Sequence, residues 1–167
     1  ATLMAAAAGK FKMATVNVRT LRPKEEKHAT STVASATLLG KRQILEEACE
    51  EQGHDVVGIQ EGRSSATERR SGMHLGRLAG AGDDEGGHGC QVWVSRRLGF
   101  KVTSFTAVSP RLEDATGHTR AHGGPVAFVG AHEPTDGDAA PAKNAFWAQL
   151  ESVTQTLVEG APGITSL

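Results

Sequence analysis

The sequence has 167 residues, of which 22% are charged, and its formal net charge is -1. This length suits one domain that buries roughly 70% of its unfolded surface. The balanced charge argues against a strongly basic nucleic-acid-binding protein or an anionic-membrane binder, and no apolar run approaches the roughly 18 residues of a transmembrane helix. Because the chain contains 20 glycines and no tyrosine, its core must consist mainly of aliphatic side chains.

The two cysteines and the amino-terminal segment indicate compartment and organisation. Cys49 and Cys90 provide neither a disulfide framework nor a metal-ligand spacing, so we expect both to be reduced core residues. This favours an intracellular reducing compartment or organelle over secretion. Residues 1–10 are interpreted as an alanine-rich extension and residues 11–167 as a single domain. The start at alanine indicates that an initiator methionine, a targeting segment or another piece was removed.

The first predicted strand is residues 13–18, and Asn17 is its unusual member. Asparagine is depleted in strands, which leaves two interpretations of about equal weight. Asn17 is either a bulge or sheet-edge residue, or a polar ligand at the carboxyl end of the strand.

A helix is predicted to follow a polar connection. Residues 22–36 are polar and predict a solvated loop, whereas residues 38–52 have apolar side chains at helical spacing. Thr37 is the expected N-cap, and Gly53 is the expected residue that ends the helix.

The second predicted strand, residues 55–61, is a short apolar run that ends in Glu61. Its β-branched residues and flanking glycines favour a buried strand. Strand, helix and strand together predict a βαβ-like unit. In an open α/β sheet, ligands bind beyond the carboxyl ends of the strands, so Glu61 is a candidate ligand. From this segment alone, a solvated loop residue is the favoured interpretation.

The middle of the chain predicts a long loop and then a hairpin. Residues 62–89 contain many glycines and predict a loop that is functional or disordered. Its acidic residues 83–85 are interpreted as a solvated turn. Residues 91–95 alternate as a strand, residues 96–99 are expected to form a hairpin turn, and residues 100–108 are expected to be the return strand.

Three basic residues lie in the predicted loop at residues 117–124, namely His118, Arg120 and His122. Arg120 is the candidate substrate-binding residue, since basic groups near a sheet rim can contact phosphate. The competing interpretation is that all three are exposed polar groups.

The last predicted strand is residues 125–131, and it is followed at once by His132. A single histidine is usually structural, but one at a strand end can belong to a site with Glu61. Residues 142–158 predict an amphipathic helix whose apolar stripe is core.

Three segments in this order carry a resemblance. They are Ala-Thr-Val-Asn-Val-Arg-Thr-Leu at residues 14–21, Asp-Val-Val-Gly-Ile-Gln-Glu at residues 55–61, and a Gly-Cys-Gln-Val-Trp-Val segment followed later by Ala-His-Glu-Pro-Thr at residues 131–135. Together they resemble the endonuclease/exonuclease/phosphatase family, which has the DNase I fold, and most closely the endonuclease domains of retroelements.

The resemblance implies an α/β fold, specifically a partial DNase I-like two-sheet sandwich with flanking helices. It also implies Mg²⁺-dependent hydrolysis of phosphate esters. Asn17 and Glu61 would face the metal and the scissile phosphate, and His132 would occupy a catalytic polar position. The metal would polarise a phosphoryl oxygen and orient the attacking water.

The family's later motifs, an Asp-x-Asn strand and a Ser-Asp-His-like segment, do not occur after His132. We therefore expect a remnant of a Mg²⁺-dependent endonuclease domain that acts as a non-catalytic structural or accessory subunit. A protein partner would cover the open sheet of the incomplete sandwich. The alternative is an active nuclease whose carboxyl-terminal half lies outside this sequence. Nucleic-acid binding is a third hypothesis, although the arginines are scattered and balanced by acids.

Overall fold

The computed structural model describes residues 11–18, 32–63, 67–71, 75–80, 88–120 and 124–160. Within these ranges the chain forms two sheets and two α-helices, so it is a mixed α/β protein, as the sequence predicts. The elements are β1 (Met13–Asn17), α1 (Thr32–Glu51), β2 (Val56–Gln60), β3 (Glu68–Ser71), β4 (Leu75–Ala79), β5 (Gln91–Ser95), β6 (Lys101–Ser109), β7 (Leu112–His118), β8 (Pro125–Ala131) and α2 (Ala140–Gly160).

The larger sheet has the strand order β1-β2-β5-β4-β3. Strands β1 and β2 are parallel, and each of the other neighbouring pairs is antiparallel. A parallel pair requires a long crossover connection, and α1 lies within that connection, which confirms the predicted βαβ unit. Because both strands run the same way, their carboxyl ends meet at one edge, where Asn17 is paired with Gln60.

The smaller sheet is antiparallel and has the order β6-β7-β8. In its register, Leu112 at the start of β7 is opposite Ala131 at the end of β8, and His118 is opposite Pro125. His132, which follows β8, therefore lies beside the beginning of β7. It lies at the end of this sheet remote from His118.

Alternating side chains divide the core into three layers. Val57 and Ile59 of β2 pack towards α1, whereas Val56 packs with Phe128 of β8 between the two sheets. On the outer side of the smaller sheet, α2 packs through Phe146 and Leu150. These three layers of core side chains separate four layers of secondary structure, in the order α1, larger sheet, smaller sheet and α2.

Helix α1 begins earlier than the sequence predicts, at Thr32 rather than at residue 38. The predicted N-cap at Thr37 is therefore wrong, because this residue lies inside the helix. The preceding turn contains alanines, which have high helix propensity. The end is as predicted: Gly53 adopts φ 65°, and the His54 N–H donates to the Cys49 carbonyl at 2.9 Å, as in a Schellman cap.

The predicted loop at residues 62–89 is wrong in part, because β3 and β4 lie within it. The many glycines of this segment predict a loop, but β4 forms because Leu75 and Leu78 are buried beside β5. The acidic residues 83–85, together with residues 1–10 and His122, lie outside the described residues.

The predicted hairpin at residues 91–108 is also wrong. Arg96–Leu98 forms a 3-10 turn capped by the Ser95 hydroxyl, and Gly99 then takes a left-handed conformation with φ 56°. This turn directs the chain into the other sheet, so β6 pairs with β7 and not with β5. Strand β7 was not predicted.

Helix α2 and the two cysteines are as the sequence predicts. The predicted apolar stripe of α2 is confirmed, because Phe146 and Leu150 are buried and Val153 and Leu157 pack beside them. Cys49 and Cys90 are free and buried, as expected, and burial raises the pKa of both thiols. Neither helix in the described ranges is long and apolar enough to cross a membrane.

An acidic residue is enclosed between the two sheets. Glu113 of β7 is 0% exposed, and its Oε2 accepts the Gly80 N–H at 2.7 Å, whereas Oε1 has no hydrogen-bond partner. A β-carbon at Gly130 would lie 3.1 Å from Glu113 Cγ, so a glycine there leaves room for the carboxyl group. Burial raises the pKa of Glu113 to about 8, which keeps the group protonated at neutral pH.

This environment predicts that Glu113 makes stability depend on pH. The folded protein retains a proton that the unfolded chain loses above the ordinary pKa of 4.5. The free energy of unfolding should therefore fall by about 1.4 kcal/mol per pH unit between these two pKa values. Glu113→Gln, which stays neutral, should be more stable than wild type at about pH 8, with the difference shrinking towards about pH 5.

Urea unfolding at a series of pH values measures this difference. Glu151→Gln, on the exposed face of α2, is the control and should follow the wild-type profile. Parallel pH profiles for wild type and Glu113→Gln would contradict the prediction.

Candidate functional site

Asn17 and Glu61, which lie 44 positions apart in sequence, are in contact in the folded chain. Asn17 ends β1 and Glu61 directly follows β2, so the parallel register places their side chains at one sheet edge. The Asn17 Nδ2–H donates to Glu61 Oε1 at 2.8 Å. These two candidate residues, which the resemblance implies for one site, therefore lie side by side at the carboxyl ends of β1 and β2.

The backbone around Glu61 is strained. Glu61 has φ 56°, Arg63 has φ 52° and His88 has φ 51°, a left-handed conformation that residues other than glycine rarely adopt. The Arg63 N–H donates to the His88 carbonyl at 2.9 Å, which holds the two strained segments together beyond the end of the β2–β5 ladder. Strained backbone persists where the surrounding structure enforces it, and such places are often functional.

His132 also reaches this edge, across the gap between the two sheets. Its backbone N–H donates to the Arg111 carbonyl at 2.8 Å, and its Nε2 lies 3.9 Å from Glu61 Oε1. The Gln60 side chain donates to the Ala131 carbonyl at 3.1 Å, which joins the ends of β2 and β8. The third predicted site residue therefore lies beside Glu61.

The electrostatic surroundings lower the pKa of both Glu61 and His132, which leaves the carboxylate ionised and the imidazole neutral. The Asn17 hydrogen bond, aided by nearby cationic groups, lowers the pKa of Glu61 and keeps it ionised. Burial, followed by the charge of Arg111, lowers the pKa of His132, so its imidazole is neutral at neutral pH. The Nδ1 atom of His132 is buried without a hydrogen-bond partner.

Sequence reasoning missed a basic cluster that borders these residues. Arg111 Nη2 lies 3.0 Å from His88 Nε2 and 3.3 Å from Asp138 Oδ2, and its Nη1 donates to the Glu133 carbonyl at 3.0 Å. The His88 ring stacks edge-on against the His132 ring at a centroid distance of 5.6 Å. Locating Arg111 required the pairing of β7 with β8, and no local motif indicates that pairing.

A second missed arginine lies against the carboxylate itself. Arg63 Nη2 is 3.5 Å from Glu61 Oε2, and the two side chains are 39% and 23% exposed, respectively. Arg63 is two residues beyond Glu61, in a segment that the sequence predicted to be loop. A basic residue so close to a candidate acid was the one available signal.

Arg120, the predicted substrate-binding residue, lies elsewhere. It is exposed, and its backbone N–H donates to the Leu98 carbonyl at 3.0 Å. It follows His118, which is opposite the first residue of β8, whereas His132 follows the last. The length of β8 therefore separates the two by about 20 Å, and Arg120 does not belong to this cluster.

The arrangement joins oxygen ligands to basic groups. The Glu61 carboxylate and the Asn17 amide offer the oxygen atoms that Mg²⁺ prefers, and Mg²⁺ commonly uses one or two carboxylates plus substrate phosphate and water. Across the described ranges, no group of three or more His, Cys, Asp or Glu side chains could hold a metal. Glu61 and Asn17 could therefore offer oxygen ligands to a Mg²⁺ ion whose other ligands are phosphate and water.

Comparison with protein-family models and with curated proteins finds no match for this chain. Membership of a family is therefore not shown, and the resemblance of the three segments stays a prediction.

Removing the Asn17 amide should raise the pKa of Glu61, since that hydrogen bond is the largest cause of its lowering. A lowered carboxyl pKa adds stability above the ordinary value, and this stability is lost as pH falls through the folded-state pKa. Asn17→Ala should therefore destabilise the protein more at about pH 7 than at about pH 3.

NMR titration of the carboxyl carbons measures the pKa directly. Gln43→Ala is the matched control, because Gln43 donates to Glu47 at the same 2.8 Å on α1, and it should leave Glu61 unchanged. An unaltered Glu61 pKa in Asn17→Ala would show that the hydrogen bond has no such role.

Proposed function

We propose that the chain carries the magnesium- and phosphate-binding part of a DNase I-like phosphodiesterase site. We further propose that it binds phosphate esters as an accessory subunit and does not hydrolyse them efficiently by itself. The observation that carries this proposal is the 2.8 Å contact between Asn17 and Glu61, with His132 Nε2 a further 3.9 Å from the same carboxylate oxygen.

Glu61 and Asn17 are the residues that would hold Mg²⁺. When bound, the metal would polarise a phosphoryl oxygen and offset the negative charge of the ester. Asn17 orients the carboxylate by its hydrogen bond, and the lowered pKa of Glu61 keeps that carboxylate ionised for a cation.

The phosphate would lie between this carboxylate and the basic cluster. Arg63 lies beside Glu61, and the charge of Arg111 acts on His132. A guanidinium group matches the geometry of phosphate oxygens. Asp138 and the Glu133 carbonyl hold the Arg111 guanidinium. Arg111 is therefore a positioned charge, whereas Arg63 is the more exposed of the two.

The lack of a hydrogen-bond partner for His132 Nδ1 among the described residues supports binding over hydrolysis. A general base must lie within about 2.6–3.2 Å of the proton that it takes, and acid–base help contributes about 10²–10⁴-fold. A carboxylate usually orients a catalytic imidazole through the other ring nitrogen. In the described part of the chain, His132 Nδ1 has no such partner.

The layers of the fold support the DNase I-like interpretation and the role in an assembly. Two sheets packed face to face, each with a helix on its outer side, agree with the sandwich that the resemblance implies. Among the described strands, β8 pairs with β7 on one side and with no strand on the other. A buried strand with an open edge can add a strand from a protein partner.

The second candidate function is Mg²⁺-dependent phosphodiester hydrolysis by this domain. The neutral His132 favours it, because an unprotonated imidazole beside an ionised carboxylate can accept a proton. In that case His132→Ala should lower the hydrolysis rate about 10²–10⁴-fold.

Calorimetric titration with Mg²⁺ tests the proposed function. Glu61→Gln keeps the size of the side chain but removes its charge, so Mg²⁺ affinity should fall roughly tenfold or more. Glu151→Gln, on the exposed face of α2, is the matched control and should bind as wild type does. Equal Mg²⁺ affinity in wild type and Glu61→Gln would contradict the proposal.

A plasmid-nicking assay with Mg²⁺ separates the two candidates. The proposed function predicts that wild type nicks no faster than Glu61→Gln. Nicking by wild type that disappears in both Glu61→Gln and His132→Ala would establish the second candidate instead.

A further inference from the structure

We infer that Arg63 is the counter-cation of Glu61. Its guanidinium group pairs with the Glu61 carboxylate in the metal-free protein and moves to a substrate phosphate when Mg²⁺ binds. This inference rests on the proposed function, since it assigns a role to Arg63 at the same site. It makes metal and phosphate binding interdependent.

The two oxygens of Glu61 are held with different strength. Oε1 accepts the Asn17 amide at 2.8 Å, whereas Oε2 faces Arg63 Nη2 at 3.5 Å. Charge-assisted hydrogen bonds have lengths of about 2.7–2.9 Å, so the Arg63 contact is a loose ion pair. Asn17 thus fixes the carboxylate, and Arg63 can leave without disturbing it.

The present position of Arg63 leaves one of its donors unsatisfied. Its Nε–H is buried without a hydrogen-bond partner, although the side chain as a whole is 39% exposed. A buried donor without an acceptor is unfavourable. A phosphate oxygen placed beside Glu61 would supply that acceptor once the guanidinium rotates outwards.

The backbone confines this movement to the side chain. The Arg63 N–H is bonded to the His88 carbonyl at 2.9 Å, and the residue is held at φ 52°. The base of the side chain is therefore fixed beside Glu61, and rotation about its side-chain bonds suffices to move the charge from carboxylate to phosphate.

Charge explains why the two cations compete. Mg²⁺ and a guanidinium group at the same carboxylate repel each other, so Mg²⁺ must displace Arg63 to bind well. A phosphate gives Arg63 a favourable new partner, because arginine binds phosphate oxygens in a bidentate manner. Phosphate binding should therefore tighten Mg²⁺ binding, and Mg²⁺ should tighten phosphate binding.

The chain offers a closely matched control at the other end of β2. Arg97 Nη2 lies 3.6 Å from Asp55 Oδ1, with side chains that are 49% and 22% exposed, against 3.5 Å, 39% and 23% for Arg63 and Glu61. Asp55 precedes β2 and Glu61 follows it, so the two ion pairs resemble each other in geometry but lie at opposite ends of the strand.

The test measures two dissociation constants in the full chain by calorimetry: that of Mg²⁺ alone, and that of a phosphorothioate-linked dinucleotide in the presence of Mg²⁺. Arg63→Gln should tighten Mg²⁺ binding roughly threefold to tenfold and should weaken dinucleotide binding. Arg63→Lys keeps the positive charge and should bind Mg²⁺ as wild type does. Arg97→Gln should change neither constant.

The outcomes separate this inference from the proposed function. Suppose that Glu61→Gln loses Mg²⁺ binding but Arg63→Gln matches wild type and Arg97→Gln in both dissociation constants. The counter-cation role of Arg63 is then wrong, and the proposed function stands. If Mg²⁺ binds Glu61→Gln and wild type equally, both are wrong. Mg²⁺ binding that is detectable in Arg63→Gln but not in wild type would give the counter-cation role of Arg63 its strongest support.

Discussion

The parallel pairing of β1 with β2 is the constraint on which the candidate site depends. An antiparallel pair would place the carboxyl ends of the two strands at opposite edges of the sheet. In the observed register Asn17 is opposite Gln60, so Asn17 meets the next residue, Glu61. The connection through α1 makes this pairing possible, and the burial of Val57 and Ile59 beneath that helix stabilises it.

The second requirement is that the two sheets pack face to face. Val56 of the larger sheet and Phe128 of the smaller sheet belong to one buried cluster, and this packing brings the end of β8 to the edge where β2 ends. The Gln60 amide then bonds to the Ala131 carbonyl, and His132 follows at once. Contacts in the core thus determine which polar residues can meet at the surface.

These two requirements also explain how much the sequence could predict. Strands with continuous apolar runs, β2 and β8, are recognisable locally, and each is followed at once by a polar candidate residue, Glu61 or His132. The polar character of Asn17 and its place at a strand end could be predicted from the sequence as well. Residues whose importance depends on pairing between distant strands, such as Arg111, were not.

The errors in the middle of the chain have a common cause. Local signals favoured a hairpin after β5, but a Ser95-capped turn and a left-handed Gly99 direct the chain to the other sheet. Similarly, β4 is a strand because Leu78 is buried against β5, although the many glycines of residues 62–89 suggest a loop. In both places long-range packing outweighs local preference, and a single sequence does not display that packing.

The two carboxylate oxygens of Glu61 have chemically different partners. One carboxylate oxygen is held by an uncharged amide from the larger sheet, and the other faces a guanidinium group, while the imidazole from the smaller sheet stays neutral through burial. A fully basic edge would bind anions without a metal, and a fully acidic edge would bind a metal without anions. Under the proposed function, the one ionised carboxylate among basic groups would bind a cation and a phosphate together. That property follows from parallel pairing and sheet packing, since those two contacts bring Asn17, Glu61 and His132 to a single edge.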